Sequence, residues 1–238
     1  TGVADVLARQ AGISISRNGT VGSTTSVFLR GAENRFTAVL VDGIRVDSQS
    51  TGGVSWNAIP LAQIERIEIV RGPAAAVYGS DALGGVIQIF TRRGQQGFHP
   101  DASATVGSHS DRELTAGARF GSGVFDGSLR LQHRRTDGVS ATNAQAQFGN
   151  HNPDDDGFDQ TSVNARLGLR LGDWRADATL LQSKGTSRFD DGPGVDTRAA
   201  LRTEVISAQL AGPVAGAWRT SFRASRSRDD YDTLASTR

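Results

Sequence analysis

The sequence contains no cysteine. That excludes disulfides and thiolate metal sites, and it is compatible with an oxidising or extracytoplasmic compartment. It also lacks an excess of either charge: 26 basic and 25 acidic residues leave a net charge of +1. A chain so balanced has no global field to steer nucleic acid, and no basic patch of the kind nucleic-acid binding requires. No apolar run reaches the roughly 18 residues that a membrane helix needs, and no signal peptide opens the chain. A helical membrane protein is thereby excluded. A β-barrel is not, because its spanning segments are short and only half apolar.

Motifs of catalysis are missing as well. The histidines His99, His109, His133 and His151 show no HExxH or paired metal spacing, and neither a GxSxG elbow nor a GxxxxGK phosphate loop occurs. "SHSD" (Ser108 to Asp111) holds serine, histidine and aspartate in a row, but a triad is a spatial arrangement and adjacency is no evidence for one. No catalytic residue is assigned, and the sequence reads as a non-enzyme.

Glycine is abundant: 29 of 238 residues, with only 37% hydrophobic. Glycine costs roughly 1 kcal/mol in a helix interior relative to alanine, so the excess favours turns and strands. Residues 1–94 read as a compact α+β unit. "TGVADVLARQAGISI" predicts a helix with Val3, Val6, Leu7 and Ala11 on one face, ended by Gly12. Short strands follow in "SVFLRG", in "FTAVLVDGIRV" with a tight turn at Asp42-Gly43, in "IERIEIV" after a helical turn, and in "GVIQIFT". Residues 74–82 can form one more short helix. The abrupt start suggests that the natural N-terminus lies upstream of Thr1.

From residue 95 onward the period becomes two. Leu114, Ala116, Ala118 and Phe120 alternate with Glu113, Thr115, Gly117 and Arg119; Phe125, Leu129 and Leu131 with Asp126, Ser128, Arg130 and Gln132. Val163, Ala165, Leu167, Leu169 and Leu171 stand against Asn164, Arg166 and Arg170, and Trp218 and Phe222 against Arg219 and Arg223. A soluble sandwich could also alternate, so the connections matter. After the first hairpin they alternate short and long, with long ones at 136–159 and 185–199. That is the pattern of an outer-membrane barrel with short periplasmic turns and long extracellular loops. Trp174 and Trp218 both follow short turns, which predicts a periplasmic aromatic girdle. About seven strands are expected in 95–238, too few to close a wide barrel.

The stretches "SVFLRGAENRFTAVLVDGIRV" and "IERIEIVRGPAAAVYGSDALGGVIQIFTRRG" resemble the plug of TonB-dependent outer-membrane receptors, with LRG, VDG, ERIE, RGP, YG and GGVI in that order. The chain as a whole is similar to the cobalamin (vitamin B12) receptor branch. The resemblance implies an α+β plug (1–94) followed by antiparallel strands of an incomplete transmembrane β-barrel (95–238). In the family such a plug fills a barrel of roughly 22 strands. It further implies an outer-membrane location, contact with outer-membrane lipid, a transported ligand (cobalamin, or alternatively a ferric siderophore), and TonB engaged through a segment upstream of Thr1. An adhesin or structural barrel without transport is the alternative from another class, and the plug motifs speak against it.

In that reading Gly72, Gly79, Gly84 and Gly85 supply turns and close approach, with Pro73 fixing the turn after Arg71. Arg30 and Arg71 are expected to pair with Glu65 or Glu68, because unpaired charges inside a lumen are costly. Ligand contacts in the family come from apical loops. These map onto Ser16 to Ser26 and onto Asp47 to Pro60, with Ser48, Gln49, Ser50, Ser55 and Trp56 as candidates; solvated loops are the alternative. Family members bind calcium through aspartates that map to Asp154, Asp156, Asp190 and Asp196, in loops whose carboxylates suit a hard cation. An EF-hand is rejected, since its twelfth position is Val163. This sequence departs from the family at Ser140, in place of an acidic residue, with Asp137 nearby, and at Phe189, which offers no oxygen. Ligand-free acidic loops are the other reading.

Overall fold

The computed structural model describes residues 2–46, 52–73, 75–79, 82–145, 151–191 and 195–237, with the backbone alone at 75, 196 and 235–237. The N-terminal unit begins with helix α1 (Val3–Leu7), whose Val3 and Leu7 are buried. The helix stops at Leu7, short of the expected end, and Ala11 is exposed. Gly12, with φ +77°, turns the chain into strand β1 (Ile13–Arg17), which pairs antiparallel with β2 (Thr25–Leu29).

A second sheet has the order β4-β3-β6-β5, built from β3 (Thr37–Val41), β4 (Ile44–Arg45), β5 (Ile64–Arg71) and β6 (Gly85–Thr91). The pair β3 and β6 is parallel, the others antiparallel. The expected turn joins β3 to β4, with Asp42 at φ +49° and Gly43 at +78°. A 3-10 turn at Leu61–Gln63 leads into β5, and helix α2 (Ala75–Tyr78) precedes β6. Gly85 admits no side chain: a Cβ there would lie 2.3 Å from the Val70 carbonyl oxygen and 2.4 Å from Leu29.

Seven long strands follow as an antiparallel meander: β7 (Gly97–Val106), β8 (Arg112–Gly121), β9 (Phe125–Thr136), β10 (Phe158–Leu171), β11 (Trp174–Asp190), β12 (Val195–Ala215) and β13 (Trp218–Thr237). One correction concerns the second long loop. The region 185–199 is mostly strand, since β11 and β12 stay in register up to Asp190↔Asp196. Its Gly, Ser and Thr residues resemble a loop in composition. A hairpin rising out of lipid, however, can present polar side chains on both faces and keep its ladder.

The two faces of this sheet settle which solvent it meets. Arg166, Asn164 and Arg130 are 6%, 4% and 8% exposed, while Leu167, Leu129 and Leu114 are 50%, 45% and 59% exposed. Burying arginine while exposing leucine inverts the arrangement of a water-soluble protein. It is the arrangement of a barrel wall with lipid outside and a polar, filled lumen. The first unit packs on the polar face. Leu181 of β11 and Val205 of β12 join its apolar core with Val27, Leu29, Ile87 and Ile89, and the Ser128 hydroxyl donates to the Arg92 carbonyl at 2.8 Å. Trp174 and Trp218 start β11 and β13 after short turns; Trp218 is 80% exposed.

Candidate functional site

Between the N-terminal unit and the wall, on the side of the long connections, lies a cavity of about 270 Å³. The β1–β2 connection contributes Asn18 and Ser23 to Thr25, and the segment around the 3-10 turn Trp56–Ala58 contributes Ser55 and Asn57. The wall adds Gln160, Ser183, Ser187, Thr203 and Tyr231, and Thr142 comes from the first long loop. Hydroxyls and amides thus ring a floor of Val54, Trp56, Phe189 and Leu201. Such a mixture suits a polar organic ligand that also has apolar surface.

Both expected apical stretches border this cavity. Ser55 lines it, and its hydroxyl donates to Asp229 on β13 at 3.4 Å. Trp56 is 4% exposed and belongs to the apolar core, with an indole N–H that has no partner among the described residues. It therefore packs in the core while also lining the cavity. Ser48, Gln49 and Ser50 lie outside the described residues. The wall residues of the cavity escaped the sequence reading because period-two alternation identifies a lumen face without saying what lies at each height.

The acidic residues gather above the cavity. The Ala141 N–H donates to Asp156 at 2.8 Å, the Ser140 hydroxyl donates to Asp190 at 3.3 Å, and Thr142 also donates to Asp190. The short strip 140–142 therefore holds both carboxylates. Asp156 is only 4% exposed. Its burial, with Asp190, Asp154 and Asp155 nearby, pushes its carboxyl up to about 6, against the Ala141 N–H that pulls it down. No basic side chain pairs with it among the described residues. Asp196 stands opposite Asp190 in register, and its side chain lies outside the described atoms. Among the described residues no three His, Asp or Glu side chains converge as a metal-binding group.

The expected pairing of Arg30 and Arg71 with Glu65 or Glu68 is not what the structure contains. Glu68 pairs with Arg66 at 2.7 Å, and Arg66 also lies 3.8 Å from the centre of the Phe90 ring. Arg30, Glu65 and Arg71 are exposed. The reason is local geometry: residues two apart on β5 share a face, so Arg66 reaches Glu68 without crossing the sheet.

The charge that does bind the two units was not singled out. Asp42, in the turn after β3, forms an ion pair with Arg166 of β10 at 3.0 Å, both side chains being 7% exposed. Asp42 also accepts from the Thr91 N–H at 3.0 Å and from its hydroxyl at 2.5 Å. Arg166 lies 3.7 Å from Asp177, which pairs with Arg175, which in turn pairs with Asp126. From β13, Arg223 donates to the Gly43 carbonyl at 2.9 Å. The Asp42-Gly43 turn is thus clamped to the wall, in the half of the sheet nearer the short turns.

Residues 1–86 match the family described as the TonB-dependent Receptor Plug Domain. The chain is 35% identical over 196 residues to the vitamin B12 transporter BtuB of Photobacterium profundum, covering 81% of this chain and 31% of that protein. It is 43% identical over 110 residues to the BtuB of Vibrio vulnificus, covering 46% of this chain and 18% of that protein. Among solved structures it is similar to the copper transporter OprC, with a TM-score of 0.77 at 17% identity over 97% of this chain and 35% of the other. It is also similar to the ferric enterobactin receptor PfeA of Pseudomonas aeruginosa, with a TM-score of 0.71 at 20% identity over 96% of this chain and 39% of the other. The matched stretch is under a third of either BtuB's length.

Proposed function

Starting from a chain that belongs to the TonB-dependent receptors of the outer membrane, we propose that it serves active uptake of a cobalamin-class ligand. The ligand is captured at the cavity on the long-loop side and admitted when the energised partner TonB pulls on the plug. The observation that carries this reading is the pairing of a polar cavity at one end of the plug with the Asp42 clamp at the other. Binding and release then act on opposite ends of the same small unit. Cobalamin is favoured over a ferric siderophore by the two BtuB relatives, since the likeness to the enterobactin receptor is one of fold. The siderophore remains the second reading, because the cavity's hydroxyls and amides suit either chelate.

Calcium belongs to the same proposal. Asp156 is a buried carboxylate with no basic partner among the described residues, and the charges of Asp190 and Asp154 oppose its own; Asp196 stands opposite Asp190 in register. A hard divalent cation with oxygen ligands relieves both and stiffens the loops over the cavity. Asp156, Asp190 and Asp196 would hold it, with Asp154 beside them; Phe189 offers it nothing. Preordered loops lower the ordering entropy lost on binding. Equilibrium binding of cobalamin to the full-length receptor tests this: affinity is expected to rise about tenfold or more with calcium, or ~1.4 kcal/mol. Asp156→Asn with Asp190→Asn should remove the rise. Cobalamin affinity that ignores calcium would eliminate the cation site, and absence of cobalamin binding alongside siderophore binding would replace the ligand.

A further inference from the structure

The lumen face of the wall carries one row unlike its neighbours. Following the register from β7 to β12, Ser103, Thr115, Gln132, Ser162, Ser183 and Thr203 stand side by side, and Asp229 ends the row on β13. Every member has a hydroxyl, an amide or a carboxylate, and none before Asp229 is charged. The row two residues toward the short turns contains Gly117, Arg130, Leu181 and Val205; the row two residues the other way contains Glu113, Arg134, Gly185 and Leu201. Their arginines are occupied, Arg130 by Asp101 at 2.7 Å and Arg134 by Asp111 at 2.8 Å. A neutral polar lane thus runs between two rows whose arginines are already paired.

The lane is not level. On the outer face the adjacent row is apolar on β7 to β10, with Ala102, Ala116, Leu131 and Val163, and polar on β11 to β13, with Gln182, Glu204 and Arg228. Strands tilted to a barrel axis slope their rows in this way. The β11–β13 end of the lane therefore lies beyond the hydrocarbon on the long-loop side, and the β7–β9 end lies at hydrocarbon depth. At the upper end Ser183 and Thr203 line the cavity, and Asp229 accepts from Thr203 at 2.6 Å and from the plug's Ser55 at 3.4 Å. Farther down, the Ser162 and Ser183 hydroxyls are 2.9 Å apart. At the lower end Thr115 and Gln132 stand opposite each other in register, 4% and 9% exposed. Neither the Thr115 hydroxyl nor the Gln132 side-chain carbonyl has a partner among the described residues. Buried polar atoms in that state cost stability, so their retention needs a reason outside this arrangement.

We infer that this lane is the wall side of the route by which the ligand leaves the cavity, and that Thr115 and Gln132 form a second binding point on it for neutral amide and hydroxyl groups of the cargo. The inference rests on the uptake reading and adds where the ligand goes next. When the plug moves, cargo groups bonded to Ser183 and Thr203 can exchange those bonds for equivalent ones lower in the lane. An N–H or O–H of the cargo is what the Gln132 carbonyl lacks, and the Thr115 hydroxyl can donate or accept. With no charge between Ser103 and Thr203, no step requires a desolvated ion pair to be broken.

The test is uptake by cells that depend on the full-length receptor, with equilibrium binding and the thermal midpoint measured on the same variants. Thr115→Val with Gln132→Leu keeps shape and removes both unpartnered groups. Uptake at saturating cobalamin is expected to fall about tenfold, on the scale of one to two hydrogen bonds. Cobalamin affinity should stay the same, because the cavity is untouched, and the midpoint should hold or rise. Thr115→Ser with Gln132→Asn, which keeps the hydrogen-bonding groups, should retain most of the uptake. Unchanged uptake by the apolar pair would overturn the inference. So would a lowered midpoint, which would assign both groups to a structural water between β8 and β9. If the unaltered receptor takes up a ferric siderophore in place of cobalamin, the ligand reading fails separately, and the same two outcomes decide the lane with that cargo.

Discussion

Asp42→Asn is expected to loosen the plug from the wall by about 3 kcal/mol, the lower end of the cost of breaking a buried ion pair. Asparagine tolerates the left-handed conformation at position 42, where φ is +49°. It can also keep the contacts with Thr91, so the substitution isolates the charge. Arg166 would be left buried with only Asp177 at 3.7 Å, which is why the low end applies. Hydrogen exchange of the Val46 amide, bonded to the Val39 carbonyl at 3.0 Å, should accelerate about a hundredfold, the equivalent of ~3 kcal/mol. Adding Arg166→Met should recover much of the loss, because the stranded charge is gone. Unaltered exchange in a folded Asp42→Asn receptor would show that the clamp contributes nothing to docking.

The second large effect concerns the other face of the same strand. Leu167→Arg places a charge at the lipid surface, where near the bilayer midplane it costs roughly 2 to 4 kcal/mol. Insertion of the full-length receptor into vesicles should fall accordingly. Arg166→Leu, one residue away, should leave insertion intact and instead disturb the plug, since it strands Asp42. The two variants therefore separate by readout, insertion for one and plug exchange for the other. Equal loss of insertion would mean that the faces are wrongly assigned.

Much of this was legible before any coordinates. Period two from Arg112 onward placed Leu114, Leu129, Leu167, Leu169 and Phe222 on one face, because every residue on a strand obeys the same alternation. The Asp42-Gly43 turn followed from local chemistry, with two residues suited to positive φ between apolar runs. What failed was non-local or compositional. The partner of Asp42 lies on β10 far along the chain, and nothing in either segment's own pattern ties them together. Glu68 was assigned to distant arginines when Arg66, two residues away, shares its face. Region 185–199 looked like loop because its polar composition outweighed its register.

Uptake decides the central claim. Cells that depend on the full-length receptor should accumulate labelled cobalamin, should do so only with TonB energised, and should fail to accumulate a labelled ferric siderophore through it. Accumulation of the siderophore in place of cobalamin would move the ligand to the second reading. Accumulation of neither, with the receptor inserted and its plug in place, would contradict transport of this class by the cavity and clamp together.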